Sequence, residues 1–544
     1  MRTSARLVLS LLLCSTLLAA CSAEESTSTP TASSSGGASA TGGSGGSAGV
    51  GGGGGVPVAV RLPQAVDGAL LANPDVYDTV PLRIETEPPA ASVAVKLGDT
   101  AVGAIAQGPA GTFVADLPIA GMKPGTVALA IEAAPAGADP TSLQAELVLS
   151  TTGVQLTDFA KVGFAGTPRI HRRGEELWLT WTDRSTGDAE AWLRRIDGAG
   201  RFLGEPVALV GDAEHETLYA RTAFGQKGLG VLYQQQGQPY RNFFKLVDFD
   251  GKETMAPLSL DPEGWTGSFG GDVVFDGEAF VAVWRSHDGQ SKEQVRWLRV
   301  EEVSQETTGP SVAAESGNED PNGGFVPFGH VKVARVGEVS LVGFLRDRYD
   351  KLLQMAIPKS QLATVGADGS LVKSQYLGIE NSLTFHWDAR VFQRPDEAVA
   401  IWSASDLTSP EDNPPILFFG ARSDAAGAMP IKGNGVKLFD APDQRDDPVL
   451  CGHPSLFGVL AWTDHRAYTE DPAHGRIELY AAAVSDELAA EKPVVFPHAR
   501  FIAGTSELGA TALGTNVMLV WLDERHGGGI FDPRPEMWIE TAWF

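Results

Sequence analysis

The feature that most constrains the fold is a short apolar run that ends in an aromatic residue. It recurs seven times between about residue 153 and the end of this 544-residue chain. The aromatic residues, named here the repeat aromatics, are Trp181, Tyr233, Trp284, Phe344, Trp402, Trp462 and Trp521. Their successive spacings are 52, 51, 60, 58, 60 and 59 residues. Such a period is typical of a repeat protein in which each repeat forms one supersecondary unit.

Each apolar run lies within a group of strand-like segments. A stretch of alternating polarity precedes it, and a turn and a third segment follow, as at 191–196 and 477–482. A fourth segment completes several repeats, as at 205–209 and 492–496. Four short strands per repeat predict the blade of a β-propeller, so residues 153–544 are predicted to form seven blades. Six or eight blades stay open, because the outer strand of the fourth repeat is weakly defined.

The two ends of the repeat region predict how the ring closes. The chain ends at 537–544 with a segment of the third-strand type and no fourth strand after it. Residues 153–159 resemble a fourth strand and come before the first repeat. We therefore predict that this segment pairs with the last blade, which would leave no exposed sheet edge.

Residues 56–152 predict a separate small all-β domain. Segments 80–86 and 92–97 alternate at period two, and further strand-like runs lie at 112–115, 126–131 and 145–149. Five or more short strands in under a hundred residues favour an immunoglobulin-like β-sandwich. Because it has no cysteine pair, the domain resembles bacterial Ig-like spacer modules, which implies a spacer role.

The N-terminus has the features of a secretion signal. Arg2 and Arg6 precede the apolar stretch 7–18, which is too short for a membrane span. The tetrapeptide 18–21, Leu-Ala-Ala-Cys, resembles the bacterial lipobox. This resemblance implies that residues 1–20 are removed and that Cys21 is acylated and anchors the chain to a membrane. In a Gram-negative cell, the serine after Cys21 implies the outer membrane, with the protein facing the periplasm or the cell surface.

Composition defines a tether and limits the partners. Residues 21–55 are rich in Ser, Thr, Ala and Gly and predict a disordered tether. The net charge of −26 becomes −28 once the two signal-peptide arginines are removed. Such an acidic body repels nucleic acid and is compatible with a protein or glycan partner. We expect a monomer.

Cys451, the single cysteine outside the signal and the anchor, is predicted to be a buried inert thiol.

An acidic residue follows several repeat aromatics at two residues and begins the loop between the second and third strands. The candidate ligand-binding residues in these segments are Asp183, Asp464, His465, Arg466, Asp523 and Arg525. Converging carboxylates and arginines could bind a ligand or perform acid–base chemistry. Their recurrence instead favours a structural role in each blade, with Asp capping turns and Arg pairing with neighbours.

No motif in the chain specifies a cofactor or a reaction. The histidines form no zinc-binding pair, no sialidase Asp-box is present, and no Gly-x-Ser-x-Gly elbow lies outside the Gly/Ser-rich tether. Calcium stays open because of the acidic loop residues Asp320, Asn322, Asp406, Glu411, Asp412 and Asn413, which lack EF-hand spacing. The chain resembles the broad class of tethered propeller lipoproteins, and no catalytic residue is predicted. The leading hypothesis is a binding or scaffold protein; the alternative is a glycan-active enzyme, a glycosidase or lyase, with carboxylates in the central depression.

Overall fold

The computed structural model describes residues 57–137, 139–156, 165–183, 190–211, 216–237, 239–289, 292–315, 331–350, 355–378, 384–406, 416–439, 445–464, 478–496, 508–523 and 536–544. All regular secondary structure in these ranges is β-strand. None of the ranges contains a helix with the length and apolarity needed to cross a bilayer. The all-β prediction is therefore confirmed for this part of the chain.

The N-terminal strands form one curled eight-stranded sheet in the order β1-β3-β6-β5-β4-β7-β8-β2. The strands are β1 (Ala59–Arg61), β2 (Ala69–Ala72), β3 (Thr79–Glu87), β4 (Ser92–Leu97), β5 (Thr100–Ala106), β6 (Thr112–Pro118), β7 (Gly125–Ala134) and β8 (Thr141–Leu149). The predicted Ig-like sandwich of two separate sheets is corrected here. β5 pairs with β4 through its first half and with β6 through its second half, so the sheet is continuous. Alternate residues of both halves point inward, and Leu82, Leu117 and Ile131 lie in the enclosed core.

Seven four-stranded antiparallel sheets follow, and they confirm the predicted blade count. The blades in order are: one, β10 (Ala165–Arg173), β11 (Glu176–Asp183), β12 (Glu190–Ile196), β13 (Phe202–Val210); two, β14 (Thr217–Phe224), β15 (Gly228–Gln235), β16 (Arg241–Asp248), β17 (Glu253–Ser259); three, β18 (Thr266–Phe275), β19 (Ala279–His287), β20 (Glu293–Glu301), β21 (Thr307–Glu315); four, β22 (Lys332–Val336), β23 (Val339–Asp350), β24 (Met355–Gly366), β25 (Leu371–Tyr376); five, β26 (Thr384–Gln393), β27 (Ala398–Asp406), β28 (Leu417–Arg422), β29 (Val436–Lys437); six, β30 (Arg445–Cys451), β31 (Gly458–Asp464), β32 (Glu478–Val484), β33 (Val494–Phe496); seven, β34 (Gly509–Leu513), β35 (Asn516–Asp523), β36 (Glu536–Trp543) and β9 (Val154–Gln155).

The first strand of each blade is innermost. Each of these seven strands contacts the first strands of the blades on either side, and blade seven contacts blade one in the same way. They therefore surround a central channel. The repeat aromatics lie on the second strands and are between 0 and 6% exposed, because each is packed into the hydrophobic core of its blade or between blades. One large aromatic per blade explains the sequence period.

The ring closes as predicted, since β9 is the fourth strand of blade seven. The pairing is short: Val154 and Gln155 face Ile539 and Trp538, and the Leu156 amide donates to the Met537 carbonyl. The N-terminal segment thus supplies the outer edge of the C-terminal blade.

The N-terminal sheet packs on the blades that meet at this closure. The Trp543 indole N–H donates to the Leu71 carbonyl over 2.9 Å, and the Trp543 amide donates to the Tyr77 hydroxyl over 3.0 Å. Asn73 donates to the Glu540 carboxylate in the same strand of blade seven. Trp543 is 3% exposed and belongs to the core of the N-terminal sheet. The sheet and the closure strand therefore hold blade seven together.

Candidate functional site

One structurally equivalent position recurs on all seven innermost strands. On each innermost strand, it is the residue that pairs across the sheet with the second-strand residue directly before the repeat aromatic. The residues at this position, named the channel ring, are Arg169, Arg221, Asp272, Lys332, Arg390, Val449 and Gly509 in blades one to seven. Five consecutive blades thus place a charged side chain at one level of the channel, and four of the five are cations.

Local irregularities of the strands position these side chains. In blades one, two, three, five and six, a register shift interrupts the innermost strand on the N-terminal side of the ring residue. A β-bulge adds local twist and redirects the side chains that follow it. The largest shift lies between Ser268 and Asp272, which are four positions apart, whereas their partners on the second strand are two positions apart.

Two ion pairs lie within the channel. Arg169 of blade one extends past blade two to Asp272 of blade three, with 3.2 Å between Nη2 and Oδ1. Arg390 pairs with Asp388 on its own strand, and both side chains are buried. Arg221 lies over the ring of Tyr219, 4.5 Å from its centroid. Two of the ring cations, Arg169 and Arg390, thus contact a described carboxylate, and Arg221 contacts an aromatic ring.

Burial lowers the pKa of two of these cations, Lys332 and Arg221. Burial lowers the pKa of Lys332 well below its ordinary value, and the guanidiniums of Arg169, Arg221 and Arg390 lower it further while Asp272 opposes them. Burial likewise lowers the pKa of Arg221 to about 9. The shared interactions show that these groups act on one another across the channel. The channel ring therefore brings buried basic side chains together in a chain whose net charge is −26.

Blades six and seven contribute no charge to the channel ring. Val449 is partly exposed beside the half-buried Cys451, and Gly509 has no side chain. The prediction that Cys451 is fully buried is wrong, because the residue is partly exposed, and its inertness stays a prediction. Burial of the thiol raises its pKa to about 12. At the level of the channel ring, blades one to five therefore form a charged side of the channel and blades six and seven an uncharged side.

Three of the predicted site residues occupy another equivalent position, two residues after the repeat aromatic. Asp183, Asp464 and Asp523 are 3%, 2% and 0% exposed at the ends of the second strands of blades one, six and seven. Each lies opposite a glutamate of the third strand; these partners are Glu190, Glu478 and Glu536. The three consecutive blades that meet at the closure thus each carry a facing Asp–Glu pair.

Aromatic side chains hydrogen-bond to these acids. The Trp181 and Trp521 indole N–H groups donate to Asp183 and Asp523, each two residues further along. Glu536 accepts from Trp538, and Glu478 accepts from the Tyr480 hydroxyl. In blades one and seven, the Trp-x-Asp motif therefore has at least a structural role, since its carboxylate accepts from the indole of the aromatic that packs the blade.

The other candidates lie outside the described residues. These are Cys21, His465, Arg466 and Arg525, together with the calcium candidates Asp320, Asn322, Glu411, Asp412 and Asn413. Asp406 is described and ends β27 of blade five. Within the described ranges, no three His, Cys, Asp or Glu side chains are grouped as ligands for a metal ion.

The channel ring was missed in the sequence, although a signal for it exists. Each ring residue precedes its repeat aromatic by twelve residues, except Val449, which precedes it by thirteen. Reading that offset along the chain gives Arg, Arg, Asp, Lys and Arg in the first five repeats. A charged residue at one fixed offset in five repeats would have indicated a site at the centre of the propeller.

Known proteins resemble this chain in fold only. No protein-family model matches the sequence, and no curated protein matches it. The β-propeller domain of the Trilobed protease from Pyrococcus furiosus, described as having an open velcro topology, is 9% identical, with a TM-score of 0.39 over 70% of this chain and 96% of that one. An α-L-arabinanase from Penicillium chrysogenum is 9% identical, with a TM-score of 0.37 over 60% and 93%. The polysaccharide lyase Uly1 is 10% identical, with a TM-score of 0.37 over 75% and 89%. At such values these similarities carry no information on activity.

Proposed function

We propose that this protein is a binding protein whose propeller holds an anionic group of its ligand in the central channel. The observation that supports this is the channel ring, in which Arg169, Arg221, Lys332 and Arg390 lie at one level. Buried charges are costly unless opposite charges accompany them. An anionic group of a ligand would supply such an opposite charge at the centre of the channel ring.

The chemistry of the ring defines the class of ligand. Guanidinium groups offer planar pairs of N–H donors that match carboxylate, sulfate and phosphate oxygens. The anionic group would therefore be one of these, carried by a glycan or by an acidic segment of a protein. The uncharged side of the channel at Val449 and Gly509 would face the rest of the ligand.

Calorimetric titration tests this function. We would titrate the full chain carrying Cys21→Ala with inorganic phosphate, glucuronate and an acidic peptide, each against the Arg221→Met variant. We expect saturable binding of at least one anion and a loss of affinity of about tenfold or more in the variant. Absence of binding by all three probes would refute the proposal. Tighter binding of glucuronate than of the acidic peptide would favour a glycan partner, and the reverse order would favour a protein partner.

A glycan-active enzyme is the second candidate. The facing pairs of carboxylates at Asp183, Asp464 and Asp523 favour it, because glycosidases use two carboxyl groups. Against it, three of these six carboxylates accept an indole N–H and a fourth a tyrosine hydroxyl. Release of reducing ends from an acidic glycan by the wild type, and its loss in Asp523→Asn, would establish the enzyme.

The anchoring and the location are part of the proposal. We propose that Cys21 carries lipid and that the tether 21–55 displays the propeller outside the cytoplasm, at the outer membrane if the cell is Gram-negative. Labelled palmitate should enter the wild type and not Cys21→Ala. Equal labelling of both would remove the membrane from the list of partners.

A further inference from the structure

Asp272 differs from every other member of the channel ring because it is an acid among cations. One carboxylate oxygen accepts from Arg169 at 3.2 Å, and the other accepts from the backbone amide of Val333 at 3.4 Å. Its charge also acts on Arg221 and Lys332. The side chain is 8% exposed. Asp272 thus occupies the place where the field of the cations would hold a ligand's anionic group.

The backbone before Asp272 is built to hold it there. Gly270 has φ +94°, a conformation that disfavours any residue with a Cβ. A Cβ on Gly271 would lie 2.6 Å from Leu232 Cδ2 and 2.6 Å from the Val283 carbonyl oxygen. The Tyr219 hydroxyl of the neighbouring blade accepts from the Gly271 amide over 3.0 Å and donates to the Gly271 carbonyl. Two glycines and one tyrosine therefore fix the bulge that presents the carboxylate.

We propose that Asp272 is an internal competitor for the anion-binding site, so that the ligand must carry more negative charge than one carboxylate to displace it from Arg169. This inference rests on the proposed function. Dianions such as phosphate or sulfate, or two acidic groups on one ligand, would bind the wild-type channel better than a single carboxylate does. Asp272 is then the residue that sets the charge of the preferred ligand.

The test compares Asp272→Asn with Asp486→Asn. The first removes the competing charge and keeps one oxygen, which can accept from either Arg169 or the Val333 amide. The second makes the same change of net charge at an exposed turn outside the channel. Phosphate, sulfate and glucuronate are titrated into each full-length variant and the wild type.

We expect phosphate to bind Asp272→Asn about tenfold more tightly than the wild type, and the preference for phosphate over glucuronate to narrow. Wild-type binding with equal or lower affinity in Asp272→Asn would overturn the internal competitor and leave the proposed function in place. Absence of binding in both proteins would overturn the proposed function itself.

A second variant covers the case in which Asp272→Asn does not fold. Tyr219→Phe removes the hydroxyl that holds the Gly271 peptide and keeps the aromatic ring under Arg221. Without this hydroxyl the Asp272 carboxylate is held less firmly and competes less well with phosphate for Arg169. The phosphate affinity should therefore rise by about twofold or more. Unchanged or reduced affinity in this variant would overturn the inference.

Discussion

Replacing Lys332 by methionine should stabilise the protein and weaken the binding of anions. Lys332 is 5% exposed, and burial together with three guanidiniums disfavours its charged form. Methionine has a similar length and no charge. Asp272 would keep its contacts with Arg169 and the Val333 amide. The variant therefore loses an unfavourable buried charge and retains the ion pair.

The expected magnitude follows from the behaviour of buried charges. Exchanging buried ionic groups for apolar groups of similar volume is neutral or stabilising by about 1–4 kcal/mol. In a domain larger than 150 residues, each kcal/mol raises Tm by roughly 2–4 °C or less. We expect a rise of a few degrees, together with a loss of phosphate affinity of about tenfold. A rise in Tm together with a loss of phosphate affinity would show that the charge of Lys332 serves binding and not folding.

The pH dependence provides an independent readout of the same charge. Between the lowered native pKa of Lys332 and its ordinary value of 10.5, the unfolded chain holds a proton that the native protein has released. The wild type therefore gains stability as pH rises through this window, and Lys332→Met should lack that gain. Differential scanning calorimetry at several pH values measures both effects, with the exposed Lys373→Met as the matched control. A fall in Tm of more than about 5 °C in Lys332→Met would refute the reasoning and make Lys332 an essential partner of Asp272.

Three further predictions concern stability. Trp543→Ala should lower the free energy of unfolding by about 3–5 kcal/mol, because the indole is buried between blade seven and the N-terminal sheet, and a smaller loss in calorimetry would show that this contact is dispensable. Gly153→Ala should lower it by about 1–3 kcal/mol, since φ is +77° and the new Cβ would lie 2.9 Å from the Ile539 carbonyl oxygen; an unchanged Tm would mean that the closure strand contributes little. Burial lowers the pKa of His171 and of His386 to about 3, so the native protein excludes protons that the unfolded chain binds below pH 6.5. The free energy of unfolding should therefore fall by about 1.4 kcal/mol per pH unit for each histidine as the pH drops from 6.5 towards 3. Urea titrations at several pH values measure this dependence. The same dependence in a variant with His171→Gln and His386→Gln would contradict the prediction.

The blade count could be predicted because one physical requirement repeats in each blade. Every second strand buries one large aromatic, and that residue is visible in the sequence without knowledge of the fold. The closure could be predicted for a related reason, since a blade that lacks its fourth strand leaves an unpaired edge. The partner strand, Val154–Gln155, is only two residues long. It could therefore be predicted from the missing fourth strand of the last blade and not from its own length.

The N-terminal sheet could not be distinguished from a sandwich by its sequence. Alternating polarity shows which residues face a core, and both architectures enclose one. The difference lies in β5, where Ala94 faces Gly103 on one side and Ala104 faces Ala115 on the other. Such a change of partner along one strand is a property of backbone pairing and leaves no trace in the hydrophobic pattern.

The asymmetry of the channel follows from packing at the closure. A Cβ on Gly509 would lie 2.7 Å from Val520 Cγ1 and 3.0 Å from the Pro168 carbonyl oxygen, so blade seven cannot place a side chain in the channel ring. Its first strand instead lies against the backbone that carries Arg169. At the level of the channel ring, the charged side chains therefore come from blades one to five, where Asp272 occupies the middle position with two basic residues on each side in chain order. An anion entering the channel would meet these cations as a group, and the carboxylate at their centre decides which anions remain bound.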